Sequence, residues 1–168
     1  MPADGVVHVG RELVLLRNGA YEWVDIKRFW LPARLTDPAV ALQLLMESPR
    51  YRDHYTSATS QDEDAGDIHG PYRLDQLVPA SYDPIDEGTA LRTIQDFVGD
   101  ATHLSVDLQA DLDFRVHRQI RKMPVRYRLR DFENDALHDF GWVLGRYTEL
   151  VVMDLDQHEL LLIVAAGD

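Results

Sequence analysis

The stretch that decides the fold is ELLLIV, Glu159–Val164, near the end of the printed sequence. Five consecutive apolar residues give a strand no solvent-facing side, so such a strand must be covered on both faces. A second β-rich run, Tyr147–Met153, precedes it across the short polar segment Asp154–His158. The sequence therefore predicts a C-terminal hairpin whose second strand lies in the interior of a sheet.

A second hairpin is predicted near the N-terminus, where Asn18-Gly19 separates two β-rich runs. Asn and Gly tolerate the positive φ that both central residues of a type I′ turn need. A two-residue turn at this point sets Leu16 opposite Tyr21. It also sets Val14 opposite Trp23, so these aliphatic–aromatic pairs are expected to face the core together.

A first helix is predicted between the hairpins, at about Pro38–Glu47. Thr36 or Asp37 can cap it, since their side-chain oxygens accept hydrogen bonds from the first turn. Proline suits the first helical position, and Pro49 prevents the helix from continuing.

A second helix is predicted to start at Asp83-Pro84 and to end at Val98, before Gly99. Asp83 with Asp86 resembles a capping box. The apolar residues of this segment follow the spacing of an amphipathic helix. Further along, His103–Leu108 alternates as a strand does, while Leu112–Ile120 fits either period and is interpreted as strand.

These elements predict an α+β fold with a mostly antiparallel sheet, N- and C-terminal hairpins and two main helices packed on one face. The expected buried residues are Trp23, Leu45, Leu91, Ile94, Val151 and Ile163.

Length and composition predict a single domain over residues 1–168, because 45% hydrophobic residues suffice for a sizeable core. No apolar run approaches the roughly eighteen residues of a membrane span, and no secretory signal is visible. The chain has no cysteine, which excludes disulfides, thiolate metal sites and cysteine nucleophiles. We therefore expect a cytoplasmic protein without a membrane partner.

Charge is strongly segregated along the chain. The segment Arg115–Arg130 holds seven of the seventeen basic residues and no carboxylate, while the net charge of the chain is −12. Within it Arg126, Arg128 and Arg130 alternate with apolar residues, which predicts three guanidinium groups on one strand face. Such a row suits a phosphate, a carboxylate or an acidic protein surface, or it pairs with the chain's own surplus carboxylates. The overall acidity argues against binding to duplex nucleic acid.

Other patterns predict no site. The acidic segment Asp62–Asp67 resembles half of a calcium loop, but Gly66 and Arg73 stand where an EF-hand needs oxygen ligands. Residues 57–70 around it offer little apolar surface, and we expect them to be the least ordered internal segment. No histidine pair has metal-ligand spacing, so no metal or cofactor is expected.

Two further groups of residues leave alternatives open. His103, Ser105 and Asp107 would share one strand face, but adjacent positions alone do not make a catalytic triad. The aromatic segment Phe29–Pro32 is either a corner of the core or an exposed anchor for a partner.

The sequence favours a non-enzymatic protein-binding domain, because it has strong charge segregation and no recognised catalytic or cofactor motif. An acidic immunity or antitoxin-like antagonist of a basic protein fits the charge, and an accessory subunit fits equally well. The alternative is a small enzyme or ligand-binding domain in which the arginine row holds an anionic ligand against His103 or Asp107.

Overall fold

The computed structural model describes residues 5–16, 22–53, 55, 66–99, 104–132, 136–137 and 145–167. Its strands are β1 (Val7–Leu15), β2 (Glu22–Trp30), β3 (Ile68–His69), β4 (Tyr72–Arg73), β5 (Tyr82–Pro84), β6 (Val125–Leu129), β7 (Arg146–Asp154) and β8 (Glu159–Gly167). Its helices are α1 (Pro38–Glu47), α2 (Glu87–Val98), α3 (Val106–Leu112) and α4 (Arg118–Lys122). Short 3₁₀ turns at Pro49–Tyr51, Leu74–Gln76 and Pro79–Ser81 connect some of them.

Six of the strands form one antiparallel sheet in the order β1-β2-β8-β7-β6-β5, and β3 pairs with β4 in a small separate hairpin. The α+β class and the mostly antiparallel sheet are therefore confirmed. The interior position of the C-terminal strand is confirmed as well, because β8 lies between β2 and β7 and all nine of its residues are buried.

The N-terminal hairpin exists, but its register differs from the prediction by one residue. Val14 pairs with Val24 and Leu15 pairs with Trp23. The N–H of Leu16 donates to the carbonyl of Glu22, so the connection holds residues 17–21, which lie outside the described part of the chain. Because side chains alternate along a strand, Val14 and Trp23 face opposite sides of the sheet.

The prediction that both main helices pack on one face is wrong. α1 packs with alternate sheet residues such as Phe29 and Leu162, whereas α2 packs with the intervening ones such as Ile26 and Ile163. The physical reason lies in β8 itself, whose apolar residues at consecutive positions require cover on both faces. The sheet therefore has two cores, one beneath α1 and one beneath α2, α3 and α4.

α1 has the predicted bounds, with the Asp37 side chain accepting from the N–H of Ala39 and Pro38 at the first position. α2 starts later than predicted. Asp86 is its cap and accepts from the N–H of Thr89, while Asp83-Pro84 belongs to β5. Gly99 ends α2 with a φ of 77°, a conformation that glycine adopts without a Cβ penalty.

The segment 106–122 is helical, so the predicted strands at His103–Leu108 and Leu112–Ile120 are wrong. α3 and α4 are joined by a π-helical turn, Asp113–His117. Leu112, Val116 and Ile120 are spaced by four residues and all are buried, as one face of a helix requires. Of the predicted core residues, all are buried except Leu91, which is partly buried.

Some predictions lie outside the described residues. They include most of the segment 57–70, of which only residues 66–70 are described, and all of 62–65 and His103. No helix within the described ranges is long and apolar enough to cross a membrane.

Candidate functional site

The predicted arginine row lies on β6, the strand next to the short edge strand β5, with Arg126 and Arg128 in β6 and Arg130 just after it. The Arg130 guanidinium donates to both carboxylate oxygens of Asp83, at 2.9 and 3.3 Å, and to the carbonyl of Ala80 at 2.7 Å. The Arg130 side chain is thus held by β5 and by the residue Ala80 that precedes it in the same chain.

The other two arginines also have carboxylate partners. Arg126 donates from Nε to the carbonyl of Ile120 at 2.8 Å and lies 3.3 Å from the Glu87 carboxylate. Arg128 lies 3.9 Å from the Asp131 carboxylate. This is the arrangement expected if the arginine row pairs with the surplus carboxylates of the chain. A role of the row as a binding site stays a prediction.

Among the described residues, the remaining sequence candidates do not form a site, and His103 lies outside them. Ser105 is the N-cap of α3, where its Oγ accepts from the N–H of Leu108 at 3.1 Å, and Asp107 lies exposed in the first turn. The Phe29–Pro32 segment is divided: Phe29 and Leu31 are buried, while Trp30 is 47% exposed.

The structure brings together a group of ionisable and phenolic side chains that the sequence analysis did not single out. We call it the buried polar cluster. It lies on the α1 face of the sheet, and eight of its ten members are buried, with Arg11 and Tyr147 partly exposed. Its members are Arg11, Asp25, Lys27, Tyr51, Asp53, Tyr55, His69, Tyr82, Tyr147 and Glu149.

One half of the cluster is centred on Glu149 in β7. Its Oε1 accepts from Tyr147 at 2.5 Å and contacts Nε2 of His69, while its Oε2 accepts from Tyr82. The hydroxyl of Tyr51 lies 2.6 Å from that of Tyr82. Three side chains from three elements thus converge on one carboxylate.

His69 is fixed from both sides of its ring. Its Nδ1 lies 2.5 Å from the carbonyl oxygen of Tyr51, and a carbonyl only accepts, so Nδ1 carries a hydrogen. The ring also stacks on that of Tyr51 with centroids 3.6 Å apart. Nε2 faces Oε1 of Glu149, so one hydrogen lies between this nitrogen and the carboxyl group.

The other half of the cluster is centred on Lys27 in β2. Its Nζ donates to Asp53 at 3.0 Å, to the Tyr55 hydroxyl at 3.0 Å and to the carbonyl of Arg50 at 3.2 Å. Asp53 also accepts from the N–H of Tyr55, whose φ is 52°. The ring of Tyr55 meets that of His69 edge-on, which joins the two halves.

Arg11 in β1 completes the cluster by donating from Nε to Asp25 at 2.7 Å. Burial raises the pKa of Asp25 above its usual value, although the hydrogen bond from Arg11 acts in the opposite direction. The three acidic side chains of the cluster thus lie among the basic side chains of Arg11, Lys27 and His69. Buried ionisable groups need such partners, because burial without them is costly.

The buried tyrosines of the cluster are neutral. Burial raises the pKa of Tyr51, Tyr55 and Tyr82 well above the usual 10, and nearby carboxylates raise it further. They keep their protons over the ordinary pH range, and Tyr82 donates to Glu149 while the Tyr55 hydroxyl accepts from Lys27.

The cluster fastens the segment 49–73 onto the sheet. Its sheet members are Asp25, Lys27 and Glu149, and its segment members include Asp53 and His69. No group of His, Asp or Glu side chains in the described ranges is arranged to hold a metal ion. The hydrogen bonds of the cluster thus join residues that are far apart in the sequence.

The chain shows no significant similarity to any family model, curated protein or solved structure. Its function is therefore inferred from its own geometry.

A signal for the cluster was present in the sequence. Asp25 and Lys27 alternate with Trp23 and Phe29 along β2, so their side chains share the core-facing side of that strand. Glu149 alternates in the same way with Val151. Charged residues at core-facing strand positions predict buried partners, but the sequence did not indicate that the partners would come from the segment 49–73.

Proposed function

We propose that this chain is a non-enzymatic protein-binding domain and that it binds an extended segment of a partner protein along β1. The observation that carries the proposal is the concentration of exposed apolar side chains at this edge. Half of the eight large exposed hydrophobic residues found in the described part of the chain lie on β1 or directly beside it: Val7, Val9, Leu15 and Trp30.

The two edges of the sheet differ in a way that supports this proposal. β5 has three residues and includes Pro84, features that discourage strand pairing. β1 has nine residues, and no strand in the described ranges pairs with its outer side. A long edge strand offers unpaired backbone groups to which another strand can be added.

Exposed apolar side chains at this edge add to the unpaired backbone groups of β1. Val7 is 45% exposed and pairs across the sheet with Trp30, which is 47% exposed. Val9 is 42% exposed and lies at a register shift between His8 and Gly10. A tryptophan such as Trp30 is the type of side chain that contributes much of the energy in protein interfaces, and the two valines extend the apolar surface around it.

Charge indicates the kind of partner. With a net charge of −12, the chain attracts basic proteins and repels acidic ones. An acidic antagonist of the immunity or antitoxin type is one role that this charge supports, and an accessory subunit of a basic protein is the other.

The rival function is a ligand-binding or enzymatic site at the arginine row. Arg128 and Arg130 line an open depression of about 320 Å³ together with Asp83 and Asp131. Two carboxylates in that lining compete with an anionic ligand for the guanidinium groups, which favours the binding-protein proposal.

An affinity purification from the source lysate tests the proposal with three variants. The first, Val7→Lys with Val9→Lys, places charges on the proposed edge. The matched control, Val40→Lys with Val78→Lys, places the same charges at similarly exposed valines elsewhere. The third is the triple variant Arg126→Ala, Arg128→Ala and Arg130→Ala.

We expect one partner that the wild type and the control retain and that the edge variant loses. The proposal is wrong if the edge variant retains every protein that the wild type binds. The rival takes its place if, in addition, a nucleotide or sugar phosphate raises the melting temperature of the wild type but not of the arginine triple variant.

A further inference from the structure

The helix formed by α3, the π-helical turn and α4 carries the two most exposed large apolar side chains of the described ranges. Val106 is 82% exposed and Phe114 is 60% exposed, followed by Val78 at 54%. Single exposed apolar residues are common on protein surfaces. Two that lie about two turns apart on one helix share one side of it, which indicates a contact surface.

This side of the helix faces away from the core along its whole length. The buried side chains of Leu112, Val116 and Ile120 are spaced by four residues and mark the side that packs on the sheet. Positions midway between them lie on the opposite side, and steps of four from Phe114 extend that side in both directions. An α-helix has about 3.6 residues per turn, so these steps drift slightly, and the wider π-helical turn in the middle offsets the drift. We call this side the outer helix face; its residues, all exposed, are Val106, Ala110, Phe114, Arg118 and Lys122.

Charge divides the outer helix face into two halves. Asp107 and Asp111 are exposed beside its N-terminal half, and Arg121 is exposed beside its C-terminal half, which holds Arg118. Neither of these arginines has an ion-pair partner in the described part of the chain. The Arg118 guanidinium lies over the ring of Phe114, 5.5 Å from its centre. The face thus has an acidic end, an aromatic middle and a basic end.

A second copy of this chain carries the complementary pattern. In a two-fold dimer the same surface of each copy meets itself. Phe114 is the middle residue of the helix, with residues 106–113 on one side of it and 115–122 on the other. Antiparallel pairing about Phe114 therefore places the acidic end of each helix against the basic end of the other and brings the two phenyl rings together. Parallel pairing would oppose like charges instead.

We propose that this protein forms a weak two-fold dimer through antiparallel pairing of the outer helix faces. Asp107 and Asp111 of one copy then lie near Arg118 and Arg121 of the other. Each copy has a net charge of −12, but charges more than about 8 Å apart are screened at physiological salt, so the charges at the interface outweigh the distant ones. The dimer uses no residue of the β1 edge and is independent of the partner binding proposed there.

Sedimentation equilibrium of the full chain measures this association. A single helix pair is a small interface, so the wild type is followed up to about 1 mM. We expect a monomer–dimer equilibrium without larger species, because a two-fold pairing closes on itself.

Two charge-reversal variants and their mixture test the pairing. Arg118→Glu with Arg121→Glu gives the helix two acidic ends, and Asp107→Lys with Asp111→Lys gives it two basic ends. Like charges then oppose each other at both ends of the dimer, so each variant alone should associate at least about tenfold more weakly than the wild type. An equal mixture of the two should recover the wild-type association, because each end again pairs opposite charges.

A third variant tests the aromatic middle of the face. Phe114→Ala removes the exposed ring from both copies and should weaken the association at least about fivefold. Its matched control, Val78→Ala, trims an apolar side chain of similar exposure elsewhere and should leave the association unchanged. Because Asp111 also lies 3.4 Å from Arg115 of its own helix, circular dichroism verifies that every variant keeps its helical content.

The proposal is overturned if the wild type stays monomeric over the whole concentration range or forms an open series of larger species. It is also overturned if the mixture associates no better than the separate charge variants, or if Phe114→Ala and Val78→Ala have equal effects. Loss of the dimer only in the variant Val7→Lys with Val9→Lys would assign the contact to β1 and overturn the proposal equally.

Discussion

Glu149 is the residue on which half of the buried polar cluster depends, because Tyr82 and Tyr147 donate to its side chain and Nε2 of His69 contacts it. Replacement by Gln substitutes an NH₂ group for one carboxyl oxygen, so at least one of these donors then faces another donor. Glu149→Gln should lower the free energy of unfolding by about 3 kcal/mol, the usual cost of breaking a buried pair. Urea denaturation with an unchanged m value measures it.

Glu87→Gln is the matched control for this substitution. Glu87 pairs with Arg126 at the surface, where an ion pair contributes little, so the change should stay within about 0.5 kcal/mol. Equal losses for the two variants would show that the burial of Glu149 has no energetic consequence.

At the scale of elements, the hairpin of β3 and β4 depends on a close approach at Gly70. A Cβ built there lies 2.5 Å from Cζ of the Tyr147 ring, and the φ of Gly70 is 57°. Gly66 has a similar φ of 59° with open space around it. Gly66→Ala therefore adds backbone strain alone, about 1 kcal/mol, while Gly70→Ala adds a steric conflict as well.

We expect Gly70→Ala to cost at least about 1 kcal/mol more than Gly66→Ala. Thermal or urea unfolding of both variants measures the difference. If the two substitutions cost the same, the contact between the hairpin and Tyr147 does not constrain the fold.

Elements with strong local signals were predictable from the sequence. The bounds of α1 followed from Asp37, Pro38 and Pro49, and the interior position of β8 followed from consecutive apolar residues. The helix 106–122 was not predicted, because short apolar runs fit both the helical period and the strand period. Only the spacing of Leu112, Val116 and Ile120 favours a helix. The predicted register of the N-terminal hairpin was wrong by one residue, because Leu16 bonds to Glu22 and not to Tyr21.

The buried polar cluster shows why the site was harder to predict than the fold. Its sheet residues lie on strands that the sequence predicted, but partners such as Tyr51, Asp53 and His69 come from outside those strands. Tyr51 and Tyr55 flank Asp53 in a stretch whose pairing with β2 and β7 is set by tertiary contacts alone. Such contacts have no local sequence signal.

The whole molecule should lose stability in alkali because of its buried tyrosines. The pKa of Tyr51, Tyr55 and Tyr82 is raised well above 10 by burial, whereas in the unfolded chain tyrosine ionises near 10. The stability that these groups contribute is fully present below about pH 10 and is lost as the pH rises through their folded-state pKa. In that range each tyrosine lowers the free energy of unfolding by up to about 1.4 kcal/mol per pH unit.

Tyrosinate absorbance and far-ultraviolet circular dichroism, followed together from pH 8 upward, measure this effect. The later part of the tyrosinate signal should rise in step with the loss of secondary structure. Complete ionisation of all seven tyrosines in a chain that keeps its secondary structure would contradict the expectation.

The position of β8 has a consequence for synthesis. Of the described strands, the ribosome makes β1 and β2 first and β8 last. β2 pairs with β1 on one side and with β8 on the other, so its second neighbour is missing until β8 has been made. Until residues 159–167 have left the exit tunnel, the β1–β2 hairpin and the strands β5 to β7 have no shared core and expose apolar faces. The sheet therefore closes only after β8 has been made, and until then the apolar faces of β2 and β7 lack the strand that lies between them.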